Sequence, residues 1–384
     1  MNLSACQSCG HLLYFENARC GNCSHWVGFH PGDLKMATLE SRDEVWQTMG
    51  EPLRRVRFCK NVEHDACNWL VDEADPEMFC VACRHNKVIP DLSEPRNLSR
   101  WRLLEAAKRR LFYTLLRFDL PPTRRPADPE GLVFDFLSDP NEGMSWVPPT
   151  VLTGHEDGLI TINIAEADDA EREARRTAMG EPYRTLLGHF RHEVGHYYWN
   201  RLVRDAGSLD AFRELFGDER RDYGESLKTY YADGPPADWP DRFVSAYATS
   251  HPWEDWAETF AHYLHMVDTL ETVGAFGIGV DTTPPGAMPL RIAIDFDPYR
   301  EPEISRFIAA WLPLTFALNS ITRSMGQHDL YPFALEPLIV GKLAFVHQRI
   351  AAATGRPVGD VSDISLFRAI VAALRKTAGD PPGS

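Results

Sequence analysis

All eight cysteines of this chain lie within its first 83 residues, and six of them form three Cys-x-x-Cys pairs. Such a turn presents two thiolates side by side, and two turns complete a tetrahedral site of four sulfurs. Cys6, Cys9, Cys20 and Cys23 supply two pairs with ten residues between them, which predicts a structural zinc ribbon. Gly10 and Gly21 stand where these turns call for relaxed φ values. A lone pair would also suit a redox dithiol; two pairs outside a βαβ context argue against it. Cys59, Cys67, Cys80 and Cys83 share one 25-residue window and predict a second four-sulfur zinc site, although their first spacing is wider. His64 and His85 lie nearby but are not needed as ligands. Trp69, Leu70, Val71 and Phe79 are expected to pack around the second site, since small modules gain much of their folding free energy from metal.

The remainder of the 384 residues is long enough for a substantial core, and 44% hydrophobic with 25% charged residues is ordinary for a soluble globular protein. A net charge of −15 disfavours nucleic acid and anionic membranes as general partners, with basic patches at 54–57 and 108–110 as local exceptions. No apolar run approaches the ~20 residues of a membrane span. No secretory signal is read at the start, so a reducing cytoplasm is expected.

The stretch 90–97 marks a boundary between a region at 1–90 and one at 98–384. A charged connector is expected over 31–58, with a short helical piece around Ser41–Met49. Helices are predicted over 98–118, 168–179, 183–203, 307–318 and 338–353, and a further one starts at Pro252. Strand character appears over 132–137 and 158–164, while 205–250 reads as loop-rich. The fold class is α+β: a double zinc-ribbon module, then a mostly helical domain with a small β-sheet.

Within 183–203 the chain reads His192-Glu193-Val194-Gly195-His196. On a helix, residues four apart share a face, so both imidazoles can meet one Zn²⁺, with the Glu193 carboxylate in reach of a zinc-activated water. Two such histidines can also be satisfied core or surface groups; a third ligand is what distinguishes the cases. Candidates are Glu254, Glu258, His251, His262 and His265. Glu254 is preferred because it opens Glu-x-x-Ala-Glu on a helix, where small Ala257 permits close packing, and Glu258 could then support a ligating histidine. One catalytic and two structural zinc ions follow, and the motif points to a zinc-dependent hydrolase with Glu193 as general base.

Residues 188–199, 251–258 and 261–265 together resemble the bacterial zinc-binding metallopeptidase family that carries an N-terminal zinc ribbon. The cysteine-rich start and the segment 319–326 are also similar, so the resemblance covers nearly the whole chain. It implies a zincin-like domain with a gluzincin-type site in which Glu254 matches the third-ligand position. Similarity to lethal-factor-like members points to Tyr247 as the oxyanion donor, with His251 and Tyr198 as alternatives. By the same analogy, strand 158–164 takes the place of the edge strand that pairs with an extended peptide. The expected partner is a peptide or protein substrate, with the ribbons as a possible protein-binding surface. An alternative is an interaction protein whose metallopeptidase-like domain is inactive; a hydrolase of non-peptide amides is a weaker one.

Overall fold

The computed structural model describes residues 3–42, 45–125, 127–140, 151–179, 185–282 and 290–359. It divides into two compact units, Met1–Tyr197 and Tyr198–Ser384.

The first unit opens with a hairpin of β1 (Ser4–Ala5) and β2 (Leu12–Leu13). An antiparallel sheet follows: β3 (Trp26–His30), β4 (Lys35–Arg42), β5 (Val45–Thr48), β6 (Arg55–Phe58) and β7 (Leu70–Asp72), in that spatial order. The sheet curls until β3 meets β7, with Phe29 bridging Trp69. Gly28 makes that approach possible, because a Cβ there would lie 2.7 Å from the Asn68 carbonyl oxygen. The expected helical piece within 31–58 is therefore corrected to strand. Leu39 and Val56 pair on either side of β5, whose Trp46 packs on Trp26 and Phe58, so cross-strand packing overrides the charged composition of this stretch.

Then come β8 (Asn86–Val88), α1 (Pro95–Arg117), β9 (Val133–Leu137), β10 (Gly154–Glu156), β11 (Leu159–Asn163), α2 (Asp169–Met179) and α3 (Leu186–Trp199). The four strands make a mixed sheet in the order β10-β11-β9-β8. β11 is thus interior, and the edge-strand placement expected of 158–164 is corrected: β10 forms that edge. The two-residue turn Asp157-Gly158 joins them with positive φ at both positions (45° and 82°), the conformation that suits the twist of a tight hairpin. Trp101, Leu104, Leu111 and Leu115 bury the apolar stripe of α1. Phe134 and Phe136 of β9 receive Phe190 of α3 at 5.8 and 6.2 Å between ring centroids. Each ring buried this way contributes roughly 1.5–3 kcal/mol.

A single π-type turn, Asn200–Arg204, follows α3. The second unit holds α4 (Leu209–Phe216), α5 (Tyr223–Asp233), α6 (Pro252–Ala275), β12 (Val280–Thr282), β13 (Leu290–Ile292), α7 (Ile304–Ser324) and α8 (Pro337–Ala353). The loop-rich expectation for 205–250 gives way to α4 and α5; Phe212 and Phe216, one turn apart, pack on Trp256. α6 is the central element, with Trp256, Phe260, Tyr263 and Leu264 buried. α7 is long and apolar enough to cross a membrane by length and composition, which corrects the absence read above; Phe307, Ile308 and Trp311 in its first half are buried core residues.

Lys342 and Asp255 form an ion pair at 2.5 Å inside this unit, with Lys342 also donating to the Arg242 carbonyl at 2.8 Å. Removing one partner leaves a charge in a low-dielectric core, whereas removing both does not. Lys342→Met alone is expected to cost about 3–5 kcal/mol in urea unfolding. The double variant Asp255→Leu/Lys342→Met is expected to recover most of that loss; equal losses would show that the pair is not the cause.

Candidate functional site

The first four-sulfur cluster is built from two turns with one hydrogen-bonding pattern. The Cys6 N–H donates to the His11 carbonyl while the Cys6 carbonyl accepts from Gly10; Cys20 repeats this with His25 and Ser24. Gly10 (φ 75°) and Ser24 (φ 62°) adopt the left-handed conformation, so Ser24, rather than Gly21, takes that place in the second turn. Cys6–Cys23 and Cys9–Cys20 sulfurs stand 3.6 Å apart. Four sulfurs about 2.3 Å from one zinc ion would stand roughly 3.8 Å apart, so the spacing fits zinc rather than disulfides. Cys59, Cys67, Cys80 and Cys83 form a second such cluster, all buried, with Cys67 and Cys80 at 3.8 Å. The Trp69 and Cys80 N–H groups point at the Cys67 and Cys59 sulfurs. Buried Arg109 lies beside this cluster: burial opposes its charge, but the Cys67, Glu105, Cys83 and Cys80 charges hold its pKa up. His85 bonds the Leu132 carbonyl and His64 packs on Trp101; neither belongs to the cluster.

A third cluster sits on α3. Phe190 anchors the helix to β9, and Val194 and Tyr197 continue the buried stripe at four- and three-residue steps. His192 and His196 bring their Nε2 atoms to 3.2 Å, with ring planes 78° apart. Two nitrogens about 2.0–2.1 Å from a zinc at a tetrahedral angle stand roughly 3.3 Å apart, so this pair fits one ion. Between them in sequence, Glu193 is 5% exposed. Its Oε1 lies 3.2 Å from His189 Nε2, and its Oε2 lies 3.9 Å from His155 Nδ1. Burial pushes the Glu193 pKa up, but the His189 hydrogen bond and the neighbouring imidazole charges hold it below the usual carboxylate range. The Glu193 carboxylate is therefore ionised at neutral pH.

Two neighbours of Glu193 were not anticipated from sequence. His155, carried by β10, stacks flat on His196 at 3.9 Å and joins Glu193 and His196 in a group whose ligand atoms lie within 4.8 Å of one another. His189 reaches Glu193 on one side and Glu166 on the other, its Nδ1 lying 2.5 Å from Glu166 Oε2. His189 was legible as the residue one turn before Glu193. Nothing local marks His155 or Glu166.

In the second unit, Glu254 lies in the first turn of α6, 1% exposed, and its Oε1 accepts the Tyr223 hydroxyl at 2.9 Å. Tyr223 was not anticipated. Glu258 accepts from Ser245 Oγ at 2.6 Å. His251 caps α6, its Nδ1 accepting the Trp253 N–H at 3.1 Å, which gives it a helix-capping role. Burial holds the His262 imidazole down to about 4, where it bonds the Tyr331 hydroxyl at 2.8 Å; His265 lies beside it with the rings 6.4 Å apart. Tyr247 opens a one-turn helix, Tyr247–Thr249, and packs on Tyr230; Tyr198 stacks on Phe260.

Comparison with known proteins adds two matches. Residues 97–349 match a family described as "Putative zinc-binding metallo-peptidase", and residues 3–94 match a zinc-ribbon domain. Uncharacterised proteins of Mycobacterium bovis and of two strains of Mycobacterium tuberculosis are each 41% identical over 344 residues, 89% of this chain and 93% of theirs. No solved structure matches.

Cys67→Ser is expected to lower bound zinc by one ion per chain and to lower the melting temperature, because metal binding to such sites is coupled to folding. Unchanged zinc by elemental analysis would contradict the second site.

Proposed function

Because the chain belongs to this zinc-binding metallo-peptidase family, we propose that it hydrolyses peptide bonds, with His192, His196 and Glu254 as the zinc ligands and Glu193 as general base. The observation that carries this reading is the His192–His196 pair at 3.2 Å with an ionised, buried Glu193 beside it. Zinc, when bound, supplies a Lewis acid that makes water nucleophilic near neutral pH. Glu193 takes the proton of the attacking water and returns it to the leaving amine. Glu254 is favoured as third ligand by its carboxylate chemistry, its burial and the Tyr223 hydroxyl, which orients it by bonding one oxygen. Tyr247 is proposed as the donor to the developing oxyanion.

On this reading the domain that carries α3 is zincin-like, and the edge strand β10 is where an extended peptide adds to the sheet. Substrates are peptides or proteins, and the ribbons offer a surface for a protein partner. The charge of −15 argues against nucleic acid. Eight unpaired thiols fit a reducing cytoplasm.

Glu193→Gln is expected to keep its zinc and its circular dichroism while losing about 100-fold or more of hydrolysis in a peptide-library assay, the scale set by loss of general-base catalysis. Full activity in that variant would end the assignment. A wild-type protein that retains only two zinc ions and cleaves no peptide would favour the interaction protein instead.

A further inference from the structure

Glu166 stands in the short turn Ile164–Ala167 that follows β11, and it is 2% exposed. The turn is held on both sides. The Asn163 side chain accepts the Ala165 N–H at 2.9 Å and donates to the Val151 carbonyl at 3.0 Å, and Arg172 donates to the Glu166 carbonyl at 2.6 Å. The Glu166 side chain has two named partners: Thr153 Oγ1 donates to Oε1 at 2.7 Å, and His189 Nδ1 lies 2.5 Å from Oε2. A buried carboxylate is retained only where such partners offset its desolvation. His189 then contacts Glu193 Oε1 through its other nitrogen. An imidazole that meets a carboxylate oxygen at each nitrogen must donate at both, which only the protonated ring can do.

From this chain of contacts we propose that His189, held by Glu166, is the positioning residue that clamps Oε1 of Glu193 and leaves Oε2 to receive the proton of the attacking water. The proposal rests on the peptidase reading for its catalytic consequence, but the clamp itself is a property of the protein. Burial disfavours charge on His189, yet Glu166 and then Glu193 outweigh it and lift its pKa to about 9. The two oxygens of Glu193 are thereby made unequal: one faces His189 and the other faces the His155 side. A carboxylate fixed through one oxygen loses its rotational freedom before substrate arrives, so the proton acceptor is already aimed.

The test uses the full-length zinc-loaded protein with His189→Ala, His189→Gln and Glu166→Gln. Outer-shell partners of this kind are worth about 10- to 100-fold. His189→Ala is expected to lose that much in kcat, with KM and zinc content unchanged. His189→Gln, which restores one N–H to Glu193, should recover part of the loss. Independently of activity, 15N spectra of the imidazoles near pH 7 should show both His189 nitrogens protonated in wild type and one lost in Glu166→Gln. Undiminished kcat in His189→Ala overturns the clamp while leaving the peptidase reading intact. Parallel loss of zinc or melting temperature overturns it too, by making His189 merely structural. If wild type cleaves nothing, the peptidase reading falls, and the spectra still decide: a singly protonated His189, or one indifferent to Glu166→Gln, refutes the clamp.

Discussion

Burying a carboxylate beside imidazoles is costly unless every charge meets a partner, and α3 is arranged around that constraint. Glu193 lies under 10% exposed with His189 on one oxygen, and Glu166 faces the other nitrogen of His189. Two buried carboxylates thus flank one half-buried imidazole, so the charges alternate in sign through direct contacts. The packing of Phe190 on Phe134 and Phe136 fixes where those contacts begin, since it sets the rotation of α3 against the sheet. A helix rotated by one residue, about 100°, would carry Glu193 away from Glu166 and its turn altogether.

The zinc-ribbon part obeys a different rule. It has a small apolar core, in which Leu39, Val56 and Leu70 form the centre, and its remaining cohesion comes from sulfurs drawn together in fours. Backbone N–H groups and Arg109 surround the second set, which suits the negative charge that four thiolates carry. The same economy of partners recurs in the second unit, where Lys342 answers Asp255 and Tyr223 answers Glu254.

What was legible in the sequence was whatever depends on short spacing. The four-residue step from His192 to His196, the Cys-x-x-Cys pairs, the amphipathic stripe of α1 and the Pro252 start of α6 all state local geometry, and each was read correctly as an element. Strand 158–164 was also legible, but its neighbours were not, because pairing order depends on residues far away; hence β10 rather than β11 at the edge. The strands β4 and β5 were hidden because their charged sequence reads as helical until Trp46 finds Trp26 and Phe58. The helices α4 and α5 were hidden by polar composition, although Phe212 and Phe216 carried the one-turn signal. Glu166 lies 23 residues before His189, and no spacing rule links them. Long-range polar contacts of that kind emerge only once the sheet has brought the segments together.

The two sulfur clusters differ in one respect that bears on kinetics. Cys9 is exposed and Cys23 half-buried, whereas every thiol of the second cluster is buried. An ion in the first cluster is open to attack by a competing ligand from solution, while one in the second can leave only when the surrounding strands part. Metal held at the two clusters would therefore meet a scavenger on unequal terms, one through exposed sulfur and the other only after local opening.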